Sequence, residues 1–300
     1  MNKKEVKSFV FQGSICALIF LILAILINNL SVNLLRAGLG IEFGWLLRPA
    51  GFALAEHPLP YSPSNSYLWA LFIGWMNSLK VISVSLVLAT IIGFLVGIAR
   101  VGNNILLSLF SSGYVTLIRQ TPLLLQLMFW YFVGFLSIKS NLFEPMGNIL
   151  RISNQGIVFL GLNFSAEFSA LLLGLSVFTG AYISEVVRGG IQSVPKGQWE
   201  AFRSLGLSED IGLYKVIMPQ AFPAIIPGLT SQYLNLAKNS TLAIAVGYAD
   251  IYAISDTVIT QTGRAVEGFI LLLIGFLFLN LIISNLMELI NRLVLKSQRR

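Results

Sequence analysis

Charge, cysteine and histidine are all scarce in this chain. Only 11% of its 300 residues are Asp, Glu, Lys or Arg, against roughly 25% in soluble domains. With 56% hydrophobic residues and a mean hydropathy of +0.79, the composition is that of an integral membrane protein. The single cysteine, Cys16, sits inside the first apolar run, so no intrachain disulfide can form. The single histidine, His57, stands alone in a proline-rich stretch. That leaves no cluster of imidazole and thiolate ligands for structural zinc or haem, and we expect no metal site. No serine lies in a Gly-x-Ser-x-Gly elbow and no glycine precedes a lysine, so a Walker A phosphate loop is absent. No catalytic residue set stands out, and the chain is expected to be neither an enzyme nor the holder of a cofactor.

Basic residues exceed acidic ones, for a formal charge of +7. They sit at the ends of apolar runs, with no aromatics interleaved among them. This reads as membrane orientation and argues against nucleic acid as a partner.

A spanning helix needs about 20 mostly apolar residues. Six runs qualify: 12–30, 68–99, 121–138, 167–188, 222–247 and 267–290. The expected fold is therefore an all-α polytopic membrane protein of about six spans. The second run exceeds what a bilayer requires and should tilt or protrude. The first follows Lys3, Lys4 and Lys7 like a signal peptide, but its apolar core is too long and no small-x-small site follows, so it reads as a retained anchor helix. If the N-terminus is cytoplasmic, thirteen Lys and Arg fall in inside segments. Only Arg36, Arg48, Lys139, Arg151 and Arg264 fall outside. That bias puts both termini inside. The chain then divides into an N-terminal anchor and external loop (1–67), a transmembrane domain (68–290) with a cytoplasmic insert at 189–219, and a basic tail (291–300). The external segment, rich in Pro, Gly and aromatics, includes Trp45, Phe52, Tyr61, Tyr67 and Trp69, which suit a membrane interface. Residues 139–166 form a second outside loop, and 100–120 a helix along the inner surface. No internal repeat is visible.

The cytoplasmic insert carries the functional argument. Pro195 can open a short helix at its first position and Gly206 can close it in the left-handed conformation. Between them Trp199, Phe202 and Leu205 share one face, with Lys196, Glu200 and Arg203 largely off it. A second helix can start at Ser208, with Glu209 and Asp210 in its first turn, and should end before Pro219. The result is a helix–turn–helix projection with aromatics at its tip. It suits either a groove in a soluble partner or packing on the chain's own bundle.

Glu200-Ala201, then Gly206, then Met218-Pro219 resemble the EAA loop of ABC importer permeases, with the spacings from Glu to Gly and from Glu to Pro preserved. The departures are Phe202 for the third-position Ala, Val216 for Ile and Met218 for Leu, all apolar. Arg119-Gln120-Thr121-Pro122-Leu123-Leu124, the run GAYISEVVRGGIQSVPKGQWEA from Gly180, and LNLAKNSTLAIAVGYADI at 234–251 are similar to polar and general amino-acid importers. The external segments FGWLLRPAGFALAE and YSPSNSY are similar to the general and neutral L-amino-acid subgroup. The resemblance runs from about residue 40 to the end. It implies the type I ABC importer permease fold in a bacterial inner membrane. It also implies coupling to an ATPase through Trp199, Glu200, Ala201, Phe202, Arg203, Gly206 and Pro219. The partners it implies are a second permease subunit in a different chain, an ABC ATPase dimer holding ATP and Mg2+, and a periplasmic or extracytoplasmic amino-acid-binding protein.

Several intramembrane polar residues remain. Lys238, Asn239, Ser240 and Thr241 interrupt the fifth run; they either line a wet substrate pathway, bond between helices or unwind the helix. Similar permeases often carry Asp at the position of Asn239, so a charge pair with Lys238 is not available here. Lys80 either snorkels or serves function. Glu185 and Arg188 have the i,i+3 spacing of an ion pair, alternatively of a gate. Thr121-Pro122 marks a helix start or kink, and Gln126 one turn on is a pathway candidate. Trp130 and Tyr131 read as lipid or interface residues. Gly93-x-x-x-Gly97 allows close helix approach, within the chain or to a second permease. A stand-alone secondary amino-acid transporter is the alternative reading, but it leaves the insert unexplained and lacks the expected inverted repeat.

Overall fold

The computed structural model describes residues 3–38, 40–138 and 149–298. The centre of the molecule is α5 (Ala166–Gln192), with Ser165 as N-cap accepting from the Phe168 amide. Small residues on α5 let neighbours come close, and it is the most deeply covered of the long apolar helices. α2 (Tyr67–Ala99) packs along it. At Gly93 an added Cβ would fall 2.3 Å from Ile183 Cγ2, so glycine is required for that approach. The Gly93/Gly97 motif therefore serves packing inside this chain.

Among the described residues, four helices are long and apolar enough to cross a membrane, and a fifth if a bent pair counts as one span. This differs from the six runs of the sequence in two places. The third run is divided. α3 (Ile105–Gln120), capped by Asn104, ends at Thr121-Pro122, and α4 (Leu123–Met128) continues from there as a π-helical stretch, Phe129–Leu136. At ~1.5 Å per residue, Leu123–Leu136 falls short of a ~30 Å hydrocarbon layer. The fifth run starts earlier and breaks earlier. α7 (Glu209–Gly212) passes through a π-helical stretch, Leu213–Ile217, straight into α8 (Met218–Asn239). Pro219 does not end the helix; it sits in the first turn of α8, where a missing N–H is tolerated. α8 stops at Asn239, a 3-10 stretch Ser240–Val246 follows, and α9 (Ile251–Thr262) leaves at 57°. α10 (Ala265–Gln298) absorbs most of the basic tail.

α1 (Lys3–Arg36) contributes nothing to the core: its apolar window is 0% buried. A helix so apolar and so uncovered needs lipid around it. Residues 48–66 form a strap along the start of α2, anchored by Tyr67 N to Arg48 O and by the Trp69 indole donating to Pro60 O. Trp45, expected at an interface, is buried, with its ring edge-on to Tyr67 at 5.6 Å.

The named strands among the described residues lie in the second loop. β1 (Leu150–Ser153), β2 (Gly156–Phe159) and β3 (Leu162–Ser165) form an antiparallel meander leading directly into α5. Residues 139–148 of that loop, and with them Lys139, lie outside the described residues, as do Arg299 and Arg300.

Candidate functional site

α6 (Lys196–Ser204) and α7 make the projecting knuckle. Pro195 is the residue before the helix, not its first residue. The C-terminus is closed as a Schellman turn. Gly206 has φ +70°, its amide donates to Arg203 O, and the Leu207 amide donates to Phe202 O at 3.2 Å. Arg203 Nε donates to Glu209 Oε1 at 2.7 Å across the turn.

The aromatic tip expected from the sequence is turned inward. Phe202 is 1% exposed and pressed against Gly212, and Trp199 is half-buried on the main core. Trp199 also lines a crevice of about 380 Å³ between the knuckle and the α2–α3 turn. Burial of the apolar stripe outweighs its display, because a nine-residue helix cannot stand without tertiary packing. The outward face is instead Glu200, Ala201, Leu205, Gly206 and Tyr214, with Leu205 and Tyr214 each 77% exposed.

A polar cavity of about 320 Å³ lies between α5 and α8. Of the sequence candidates, Lys238 and Asn239 line it. Ser240 is buried with its hydroxyl on Ala237 O, and Thr241 bonds Lys238 O; both satisfy the carbonyls freed where α8 stops. Gln126 is not in this cavity: its amide nitrogen donates to Ile118 O, Thr121 O and Thr121 Oγ1, tying the α3–α4 corner. Phe178, Thr179 and Tyr182 of α5 and Gln232 and Asn235 of α8 complete the wall. The sequence reading missed these, although Gln232, Asn235 and Asn239 recur at i, i+3, i+7 and would form one polar stripe on a helix. One cation among amides and hydroxyls is chemically suited to hold a carboxylate.

Towards the knuckle end of α5, Glu185 joins three helices. Arg188 donates to its Oε2 at 2.8 Å, in the i,i+3 pairing the spacing allows. Arg100, which follows α2, and Arg119 of α3 both donate to Oε1, at 2.8 and 3.2 Å. Three guanidiniums on one carboxylate leave the cluster positive. Arg119 also stacks on the Tyr182 ring at 5.1 Å, so the clasp adjoins the α5–α8 cavity. At the opposite end of α5, Tyr131 donates to Glu167, and Lys80 lies over the Phe168 ring with its side chain part-exposed.

With the geometry in hand, comparison places the chain. Residues 89–296 match the family described as binding-protein-dependent transport system inner membrane component. The chain is 32% identical to the putative amino-acid ABC transporter permease protein YhdX of Escherichia coli, over 96% of its own length and 94% of that protein's. It is 32% identical to the general L-amino acid transport system permease protein AapQ of Rhizobium johnstonii, covering 88% and 86%. It is 29% identical to the glutamate/aspartate import permease protein GltJ of E. coli, covering 85% and 96%. Among solved structures it resembles an amino acid ABC transporter crystallised with histidines, at TM-score 0.59, 26% identity and 75% and 94% coverage. The inward-facing MetNI methionine ABC transporter shares the fold at TM-score 0.59 and 21% identity, covering 76% and 97%. Spanning α5, the knuckle and α8 alike, the match makes this chain a member of the family of binding-protein-dependent transport system inner membrane components.

Proposed function

We propose that this chain forms half of an amino-acid pathway and is driven from outside itself through the knuckle. That it works as the permease subunit of an ABC importer, and not as a secondary transporter alone, follows from its family and relatives. In the reading we favour, the knuckle end faces the cytoplasm, where the excess of Lys and Arg lies, and the meander end faces the binding protein. An ABC ATPase dimer holds ATP and Mg2+. Its closure pushes on Glu200, Ala201, Leu205 and Gly206. Trp199 of the knuckle and the α2–α3 turn wall one crevice, and Arg100, at the start of that turn, and Arg119, in the last turn of α3, both hold Glu185. Movement there is passed to Tyr182 and the α5–α8 cavity, where Lys238 meets the solute carboxylate. A second permease, in a different chain, supplies the other half.

The observation that carries this reading is the exposed Glu200-Ala201…Gly206 face on a turn fixed by its own backbone. The test is copurification in mild detergent, identification of the companion chains, and uptake into vesicles. Amino-acid accumulation should require ATP and fall in Lys238→Met. Full accumulation by the chain with no ATPase companion would sink the proposal.

A further inference from the structure

A larger cavity, of about 610 Å³, opens at the meander end between the strap, the α2 helix and the meander. That is the size range of small-molecule sites. Its charged lining is mixed: Lys80 from α2 and Glu56 from the strap, with His57 beside them. Glu56 is held at two points, one on its carboxylate and one on its main-chain carbonyl. The Ser165 hydroxyl, at the N-cap of α5, donates to Glu56 Oε1, and Asn77 Nδ2 donates to Glu56 O at 3.0 Å and to Ala249 O at 2.8 Å. Asn77 is 1% exposed, and its Oδ1 has no partner among the described residues. Lys80 Nζ lies 4.4 Å from the Phe168 ring centroid and 5.5 Å from that of Phe164. Two aromatic faces steady an ammonium without using its N–H donors.

Lys80 Nζ and Glu56 Oε2 stand 3.8 Å apart. That is Coulombic contact, too long for a hydrogen bond. The ammonium donors and Oε2 therefore remain open to the cavity. A tie that only fastened the strap to α2 would close on itself; this one presents a donor set and an acceptor set side by side beside open volume.

We propose that this cavity is a second binding site for a free amino-acid zwitterion, its carboxylate on Lys80 and its ammonium on Glu56 Oε2, separate from the cavity at Lys238. The proposal rests on the amino-acid reading above. The site lies at the end of the bundle opposite the knuckle, so solute occupies it before, or in exchange with, the α5–α8 cavity.

The test uses the purified transporter complex in nanodiscs, without nucleotide. Cys16 is the only cysteine, so a Cys16→Ser, His57→Cys chain carries one thiol, at the cavity wall. Labelling by a methanethiosulfonate reagent is timed with L-glutamate, L-glutamine or L-leucine present, and with the α-amide and N-acetyl form of each. At least one amino acid should slow labelling by a factor of one plus its free concentration over Kd. Its amide and its N-acetyl form should not. Protection should vanish in Lys80→Met and Glu56→Gln, return in Lys80→Arg and persist in Lys238→Met. The proposal is overturned if no amino acid protects while the same complex accumulates that amino acid with ATP; transport then stands without this site. It is also overturned if Lys80→Met leaves protection intact. Protection by the binding protein without solute would make the cavity a protein-docking surface instead. Absence of ATP-driven accumulation of any of the three would count against the transport reading itself.

Discussion

Gly206 isolates backbone geometry from contact. Its φ is +70°, and an added Cβ would meet no atom within 4 Å. A substitution there acts first on the turn, through the left-handed conformation. For a β-branched residue that conformation costs about 1–2 kcal/mol, a factor of roughly 5–30 in a local equilibrium. The knuckle has little to absorb it with: nine residues of α6, one buried ring at Phe202 and the Schellman bonds. Gly206→Val should therefore raise the unwound population of the end of α6 by that factor, while the transmembrane core, which does not touch this glycine, stays folded. Uptake and ATP hydrolysis measured on the same vesicles should show uptake per ATP falling by up to that factor. Gly206→Asn should stay close to the unsubstituted chain, since asparagine tolerates the left-handed region. Equal coupling in Gly206→Val would refute the reasoning. So would an asparagine variant as damaged as the valine one, because side-chain bulk and not backbone conformation would then be the cause.

Three further outcomes are expected. Phe202→Ala removes a fully buried ring facing Gly212 and should cost about 3–5 kcal/mol, read as a lowered unfolding midpoint in detergent; a change near zero would mean the ring is not the anchor of α6. Gly93→Ala forces a Cβ to 2.3 Å from Ile183 Cγ2 and should destabilise by about 1–3 kcal/mol, whereas Gly13→Ala, with open space around it in α1, should be neutral or slightly favourable; equal effects would deny the α2–α5 contact. Burial raises the Glu56 carboxyl above its ordinary 4.5, with Glu167 adding to this and Lys80 opposing it. Protonation removes the acceptor for a solute ammonium, so thiol protection at position 57 should weaken as pH falls, with a midpoint above 4.5. Lys80 and Glu167 face that carboxyl, and the His57 side chain is replaced in the assay chain. A Glu56→Gln chain should show no such midpoint, and a midpoint below 4.5 in the parent would contradict the burial.

How far the sequence could be read depended on whether one local rule decided the outcome. The Gly206 cap was legible because a left-handed residue after a helix suits glycine. The break after Asn239 was legible because four consecutive polar residues cannot continue an apolar span unchanged. The orientation of α6 was not legible: periodicity puts Trp199 and Phe202 on one face but is silent on whether that face meets a partner or the chain's own core. Pro219 misled for a related reason. The rule that proline ends a helix assumes the interior of a regular one, whereas here a π-helical stretch precedes it and the proline falls in the first turn of α8. Pairings distant in sequence were beyond reach altogether. Nothing local says that Arg100, Arg119 and Arg188 share Glu185, or that a strap carrying Glu56 returns to Lys80.

Those distant pairings share a member, and it sets the order in which the parts can act. α5 meets the strap through Ser165 at its cap, the inner cavity through Phe178 and Tyr182, and the arginines through Glu185 and Arg188. From Tyr182 to Glu185 is one turn, about 5 Å along the axis. A rigid helix cannot shift one of these groups by an ångström without shifting the others. Glu185 is therefore poorly placed as an independent gate that opens while the cavity beside Tyr182 stays fixed. Its three guanidiniums arrive from α5 itself, from the end of α2 and from α3, so what can change is which arginine it keeps as α2 and α3 move against α5. Arg188 travels with Glu185 on the same helix, whereas Arg100 and Arg119 are carried by the elements next to the knuckle. In the coupling proposed above, exchange of those two at constant Arg188 carries a push on α6 to the α5–α8 cavity while Glu185 keeps a cationic partner throughout.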